Sequence, residues 1–213
     1  MKRLLFILCF IPVMCNAQLG GLSGGVTLPS VVSVATTTYD PSNKGSNITL
    51  SSGNLTYSIS PATSSFVRGT VGYAVGGTGI HQVEITQITG GGNGEPCGIV
   101  NSAVTNYNQE PAAGLGAGMN YVYYNGGNIY SNNSAVQTVA SYVALDKVGY
   151  TFNAVSGALR FYKNGVQVGT PITVSSSGTW YPMSGGYSGG TCSGSVVFLY
   201  ASMTYPISGA TNW

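Results

Sequence analysis

The sequence predicts an all-β protein, an antiparallel β-sandwich, on three observations. The first is the stretch 148–182, VGYTFNAVSGALRFYKNGVQVGTPITVSSSGTWYP. Val148, Tyr150 and Phe152 alternate there with Gly149, Thr151 and Asn153, and Leu159 and Phe161 alternate with Arg160 and Tyr162. A period of two marks a strand with one buried face. The second observation is the turn chemistry between these runs. Asn153 to Gly157 is a short glycine-containing hairpin loop, and Asn164-Gly165 supplies the positive φ angles of a tight hairpin. The third is composition: 32 glycines, 6% charged residues and 43% hydrophobic residues suit many short strands joined by tight turns around a core. No window beyond the N-terminus sustains a 3.6-residue apolar period, so negligible helix is expected in the mature chain.

In chain order, residues 1–17 read as a signal peptide. Lys2 and Arg3 form its basic start, residues 4–14 an apolar run too short to span a bilayer, and Cys15-Asn16-Ala17 a small-residue cleavage site. The bulky Met14 argues against acylation of Cys15. Export places the mature protein in a secreted, periplasmic or extracellular location, with no membrane insertion after cleavage. Residues 18–39 comprise a Gly/Ser-rich lead and a first strand at 31–37. The sandwich occupies 40–213, a length that one all-β domain commonly reaches. Its strands are expected at 47–50, 55–59, 67–73, 81–88, 98–101, 119–124, 129–130, 143–152, 159–162, 166–168, 180–184 and 196–205.

The motifs within 148–182 carry a resemblance. The order of hydrophobic strand, short turn, Phe161-Tyr-Lys-Asn-Gly165 and Gly178-Thr-Trp-Tyr-Pro182 resembles the core of SPRY (B30.2-like) domains. Residues 40–50 and 53–56 look like the family's opening, 67–70 like its next strand, 98–103 like its central strand, and Tyr123-Tyr124 with 125–130 like the following hairpin. The likeness covers roughly residues 40–203 and is closest to the variant of bacterial and phage-encoded proteins. Two departures stand out: Gly79 to Ile85 keeps the family's glutamate as Glu84 but lacks its aromatics, and Phe152-Asn153 replaces a Leu-Asp pair. The resemblance implies a concanavalin-like jelly-roll sandwich serving as a protein-interaction scaffold with specificity in its loops. It also implies that Trp180-Tyr181-Pro182 is a packing motif.

Charge and cysteine usage narrow the function. Loss of Lys2 and Arg3 with the leader leaves Lys44, Arg68, Lys147, Arg160 and Lys163 against five acidic side chains. So few and scattered cations make no phosphate-binding stripe, which disfavours nucleic acid and membrane surfaces. Of four cysteines, Cys9 and Cys15 belong to the leader, so Cys97 and Cys192 are expected to form one disulfide in an oxidising compartment. The alternative is a pair of buried free thiols.

Catalysis has little material. His81 is the single histidine and falls within an expected strand, while Asp40, Glu84, Glu95, Glu110 and Asp146 are dispersed. No residues cluster at metal-ligand spacing, and the glycine run 90–94 lacks the Lys-Ser/Thr and helix of a phosphate cradle. Neither an enzyme nor a cofactor or metal is expected. Recognition has more. Among 15 tyrosines, Tyr107, Tyr123, Tyr124, Tyr130 and Tyr187 lie in or beside Gly/Asn-rich connections, where a rigid ring with a polar end suits a binding loop. The competing reading places some of these rings in the core, since aromatics favour strands. The expectation is an exported, non-catalytic binding module for a protein partner. The alternatives are a lectin-like glycan-binding or adhesion protein, or a phage-derived virion or fibre component.

Overall fold

The computed structural model describes residues 36–60, 64–89, 96–111, 120–131, 134–186 and 192–213. The expected signal peptide, the lead as far as residue 35, and Tyr187 lie outside them. The strands are β1 (Tyr39–Lys44), β2 (Ile48–Ser51), β3 (Thr56–Ile59), β4 (Ser65–Gly69), β5 (Tyr73–Ala74), β6 (Ile80–Thr89), β7 (Cys97–Asn101) and β8 (Asn120–Tyr124). They continue with β9 (Asn128–Ser131), β10 (Ser134–Thr138), β11 (Lys147–Asn153), β12 (Ala158–Lys163), β13 (Val166–Thr173), β14 (Thr179–Gly186), β15 (Cys192–Val197) and β16 (Thr211–Asn212). One 3-10 turn at Tyr200–Ser202 is the helical structure among the described residues. The strands build two sheets. The first runs β1-β4-β14-β7-β8-β9-β10 with β5 beside β14, and the second β13-β12-β11-β6-β15-β3-β2 with β16 beside β6. The pairings are antiparallel apart from β16 on β6. This is the antiparallel β-sandwich expected from the alternation.

The alternation also sets the inward faces. Val148, Tyr150 and Phe152 of β11 and Leu159 and Phe161 of β12 are all buried in the main core, with Tyr150 opposite Phe161 and Phe152 opposite Leu159. Their hairpins use the expected residues: Gly157 has φ 72°, and Asn164 and Gly165 have φ 48° and 80°. Boundaries move where side chains compete with the ladder. The strand expected from 143 starts at Lys147, because the Asp146 carboxylate accepts the Val143 amide at 2.9 Å and closes a turn. The strand expected at 196–205 is β15, displaced towards Cys192, after which the chain crosses the outer face of the second sheet. There Gln82 donates to the Tyr205 carbonyl at 2.8 Å and accepts the Ile207 amide at 2.7 Å.

Two apolar layers result. The main core fills the space between the sheets and includes Tyr39, Tyr57, Ile99, Tyr123, Tyr150, Phe161, Trp180 and Trp213. A second, smaller cluster of Phe66, Val100, Val104, Tyr107, Val122 and Met183 lies apart from it. Parity explains the split. Val67, Ile99, Tyr121 and Tyr123 belong to the main core, while Phe66, Val100 and Val122, their neighbours in β4, β7 and β8, belong to the second cluster on the outer face of the first sheet.

The expected disulfide is not formed: Cys97 and Cys192 are both buried and are not bonded to each other. Each sulfur has its own surroundings. Cys97 stands opposite Ser184, whereas Cys192 Sγ lies 3.8 Å from the Gly185 carbonyl and occupies the space a Cβ on Gly186 would need. Burial pushes the Cys97 thiol up to about 12, with a contact from Tyr142 opposing it, so the nucleophilic thiolate is scarce at neutral pH. Iodoacetamide at pH 8 is therefore expected to leave both cysteines unmodified in the folded protein. Both should be alkylated after denaturation without reductant, as read by peptide mass spectrometry. Alkylation that requires a reductant would restore the disulfide.

Candidate functional site

The outer face of the first sheet gathers four aromatic residues that the main core does not use: Phe66, Tyr107, Tyr130 and Tyr181. Arg68, Met183, Gly98, Val122 and Tyr130 stand in register across β4, β14, β7, β8 and β9. Tyr181 lies one row along β14, opposite Val100. Met183 and Val122 are fully buried in the second cluster, and Tyr130 and Tyr181 are half-buried against it. The face thus has a covered centre and aromatic margins.

The cover comes from the loop after β7. Ser102 and Thr179 anchor its start through main-chain and side-chain hydrogen bonds, and the Asn101 side chain turns it by accepting the Ala103 amide at 3.0 Å. Tyr107 is its plug. The ring packs 5.0 Å from Phe66, the phenol donates toward the Val104 carbonyl at 3.0 Å with Asn43 Oδ1 at 3.1 Å, and the Tyr107 carbonyl accepts the Phe66 amide at 3.1 Å. A glycine is required beneath it, because a Cβ on Gly45 would come within 2.7 Å of the Tyr107 carbonyl oxygen. Burial raises the Tyr107 phenol above its usual range, and the Arg68 charge pulls against that rise. Arg68 itself lies over Tyr181, its guanidinium carbon 4.1 Å from the ring centroid, within cation–π range.

The five tyrosines singled out in the sequence separate by parity. Tyr130 lies on the outer face and half-exposed, and Tyr107 joins it there as a buried plug. Tyr123 is a correction: its ring is fully buried between the sheets against Tyr142 and Phe161, with its hydroxyl on the Ala140 carbonyl, so it offers nothing to a partner. Tyr124 takes part in β8 opposite Asn128. In the sequence Arg68 reads only as one of the scattered cations and Tyr181 only as part of a packing motif. The packing role expected of residues 180–182 holds for Trp180, which is fully buried, whereas Tyr181 faces outward. The Phe66-Val67-Arg68 alternation was the signal available for Arg68.

His81 and Glu84 serve the second sheet. The His81 ring stacks on Tyr73 at 3.5 Å with its nitrogens 2.9 Å and 3.0 Å from the Asn212 and Thr78 carbonyls. Both Glu84 oxygens accept main-chain amides, from Thr204 at 2.9 Å and Tyr205 at 2.8 Å. Among the described residues no three His, Cys, Asp or Glu side chains come together as a metal site, and no helix is long and apolar enough to cross a membrane.

The solved structures that share this architecture include the SPRY domain of human HERC1, with a TM-score of 0.59 over 74% of this chain and 96% of that one, at 17% identity. The fold is that of the SPRY domains. Stonustoxin gives 0.58 at 18% identity over 76% of this chain and 27% of its own, and the TRIM65 PSpry domain 0.56 at 12% identity over 76% and 89%. No protein-family model matches the sequence, and no curated protein matches it. At these identities the SPRY likeness speaks to the backbone alone.

Proposed function

We propose that the chain is an exported, non-catalytic binding module that docks a protein partner on the outer face of its first sheet. The observation that carries this reading is the pair of half-buried tyrosines, Tyr130 and Tyr181, at the margins of an already consolidated apolar cluster. Such rings are immobilised in advance by packing, so a partner gains contact area with little further loss of side-chain freedom. The module is proposed to reach its partner outside the cytoplasm, on the strength of the basic and apolar leader in residues 1–17. The scarcity of charge on the mature chain suits a partner held chiefly by desolvated aromatic contacts rather than by long-range attraction.

Partner capture from the medium of the producing cells, followed by titration, tests this. Tyr130→Ala and Tyr181→Ala are each expected to weaken binding by at least about tenfold, the scale of an interface hot spot, while the thermal midpoint stays within a few degrees of wild type. Tyr124→Ala and Tyr187→Ala extend the test to the rest of the tyrosine set. Tyr123→Ala should instead lower stability, since its ring is fully buried. Parallel loss of stability and binding in the Tyr130 and Tyr181 variants would place these rings among the structural residues and remove the proposed surface.

A further inference from the structure

We infer that Arg68 on its Tyr181 platform is a receptor for one carboxylate side chain, so that the partner docks through an acidic residue set among apolar ones; this rests on the binding reading above. Four observations lead there. The guanidinium carbon stands 4.1 Å from the centroid of the Tyr181 ring, so the ring supports one side of the cation. Arg68 Nε is buried with no hydrogen-bond partner. Among the described residues no carboxylate lies within ion-pair distance of it, although Lys147 reaches Glu84 at 4.0 Å and Lys163 reaches Asp146 at 3.1 Å. Asp40, on the adjoining strand β1, is already engaged by the Ser42 amide at 2.8 Å and the Asn43 side chain at 2.7 Å.

The chemistry of the guanidinium selects the ligand. A guanidinium fork matches a planar carboxylate with two parallel hydrogen bonds, and a partly buried site strengthens that pairing relative to open water. A phosphate group carries nearly two charges and calls for more than one cation. The other cation near this end of the sheet, Lys44, donates to the Ile48 carbonyl at 2.7 Å. The apolar surroundings, Tyr181 and the Phe66–Tyr107 pair, suit aliphatic or aromatic residues beside the acid. Arg160 makes the comparison: on the second sheet it also has no carboxylate partner among the described residues, but it stands on no aromatic ring.

Selection of a displayed random dodecapeptide library against the full exported protein, with affinities of synthetic peptides measured by fluorescence anisotropy, tests the inference. Wild-type binders are expected to contain an Asp or Glu whose change to Asn or Gln weakens binding at least tenfold. That discrimination should fall to within twofold in Arg68→Gln and persist in Arg160→Gln. Arg68→Lys, which keeps the charge and stem but not the fork, should retain only part of it. The peptide amide series is read on the wild-type protein, so poor folding of a variant does not blunt the test. Binders that are weakened by Tyr181→Ala or Tyr130→Ala yet indifferent to their own carboxylates overturn the arginine receptor and leave the docking face standing. Binders indifferent to all three positions, or a selection that yields none, overturn both.

Discussion

Trp213→Ala is expected to cost about 3–5 kcal/mol, the range for emptying a large aromatic site in a packed core. Trp213 is 2% exposed, and its ring centroid lies 5.7–6.2 Å from those of Tyr73, His81, Tyr150 and Phe152. The indole donates to the Val71 carbonyl at 3.0 Å, and its main-chain amide to that of Phe198 at 3.2 Å. The substitution therefore leaves a void between the sheets and an unpaired Val71 carbonyl. For a domain of this size the thermal midpoint should fall by roughly 10 °C. Calorimetry or urea titration followed by far-UV dichroism checks this. A midpoint within two or three degrees of wild type would mean that residue 213 is not part of the core.

Glu84→Ala is expected to cost about 2–3 kcal/mol, because it removes the acceptor of two part-buried main-chain hydrogen bonds and leaves Lys147 without its carboxylate. The Thr204 and Tyr205 amides are the direct readout. Their hydrogen exchange should accelerate by about two orders of magnitude as the segment after β15 opens locally, while β11 and β12 amides keep their protection. Glu84→Gln should fall between, since its carbonyl oxygen can hold one of the two amides while its NH2 group faces the other. Unchanged protection at 204 and 205 would show that the carboxylate does not hold this segment. His81 and Glu84 thus belong to the same task, fastening the segment after β15 to β6.

The β11–β12 hairpin was legible because everything that shapes it is local. Alternation sets the faces, Asn164-Gly165 sets the turn, and the register follows from both. β10 and β16 were not legible. Ser134–Thr138 shows no alternation of burial, and it is held partly by Gln137, whose side-chain amide donates to the Thr170 carbonyl at 3.0 Å and accepts the Thr170 amide at 2.7 Å. A partner 33 residues away leaves no mark in a window of ten. The tyrosines divide along the same line. A Tyr-Tyr pair in a strand announces one ring inward, and Tyr123 is that ring, but only the neighbouring strand shows which outward rings are plugs and which are margins.

Residues near in sequence thus specified the class of fold, the hairpins and the inward parity of the central strands, because periodicity and turn chemistry act over two to five residues. The pairing of Arg68 with Tyr181, the plug of Tyr107 on Phe66 and the seating of Trp213 all join positions more than thirty residues apart. Those contacts follow from how two sheets stack and where a loop lies over one of them, which is a property of the packed molecule and of no segment within it.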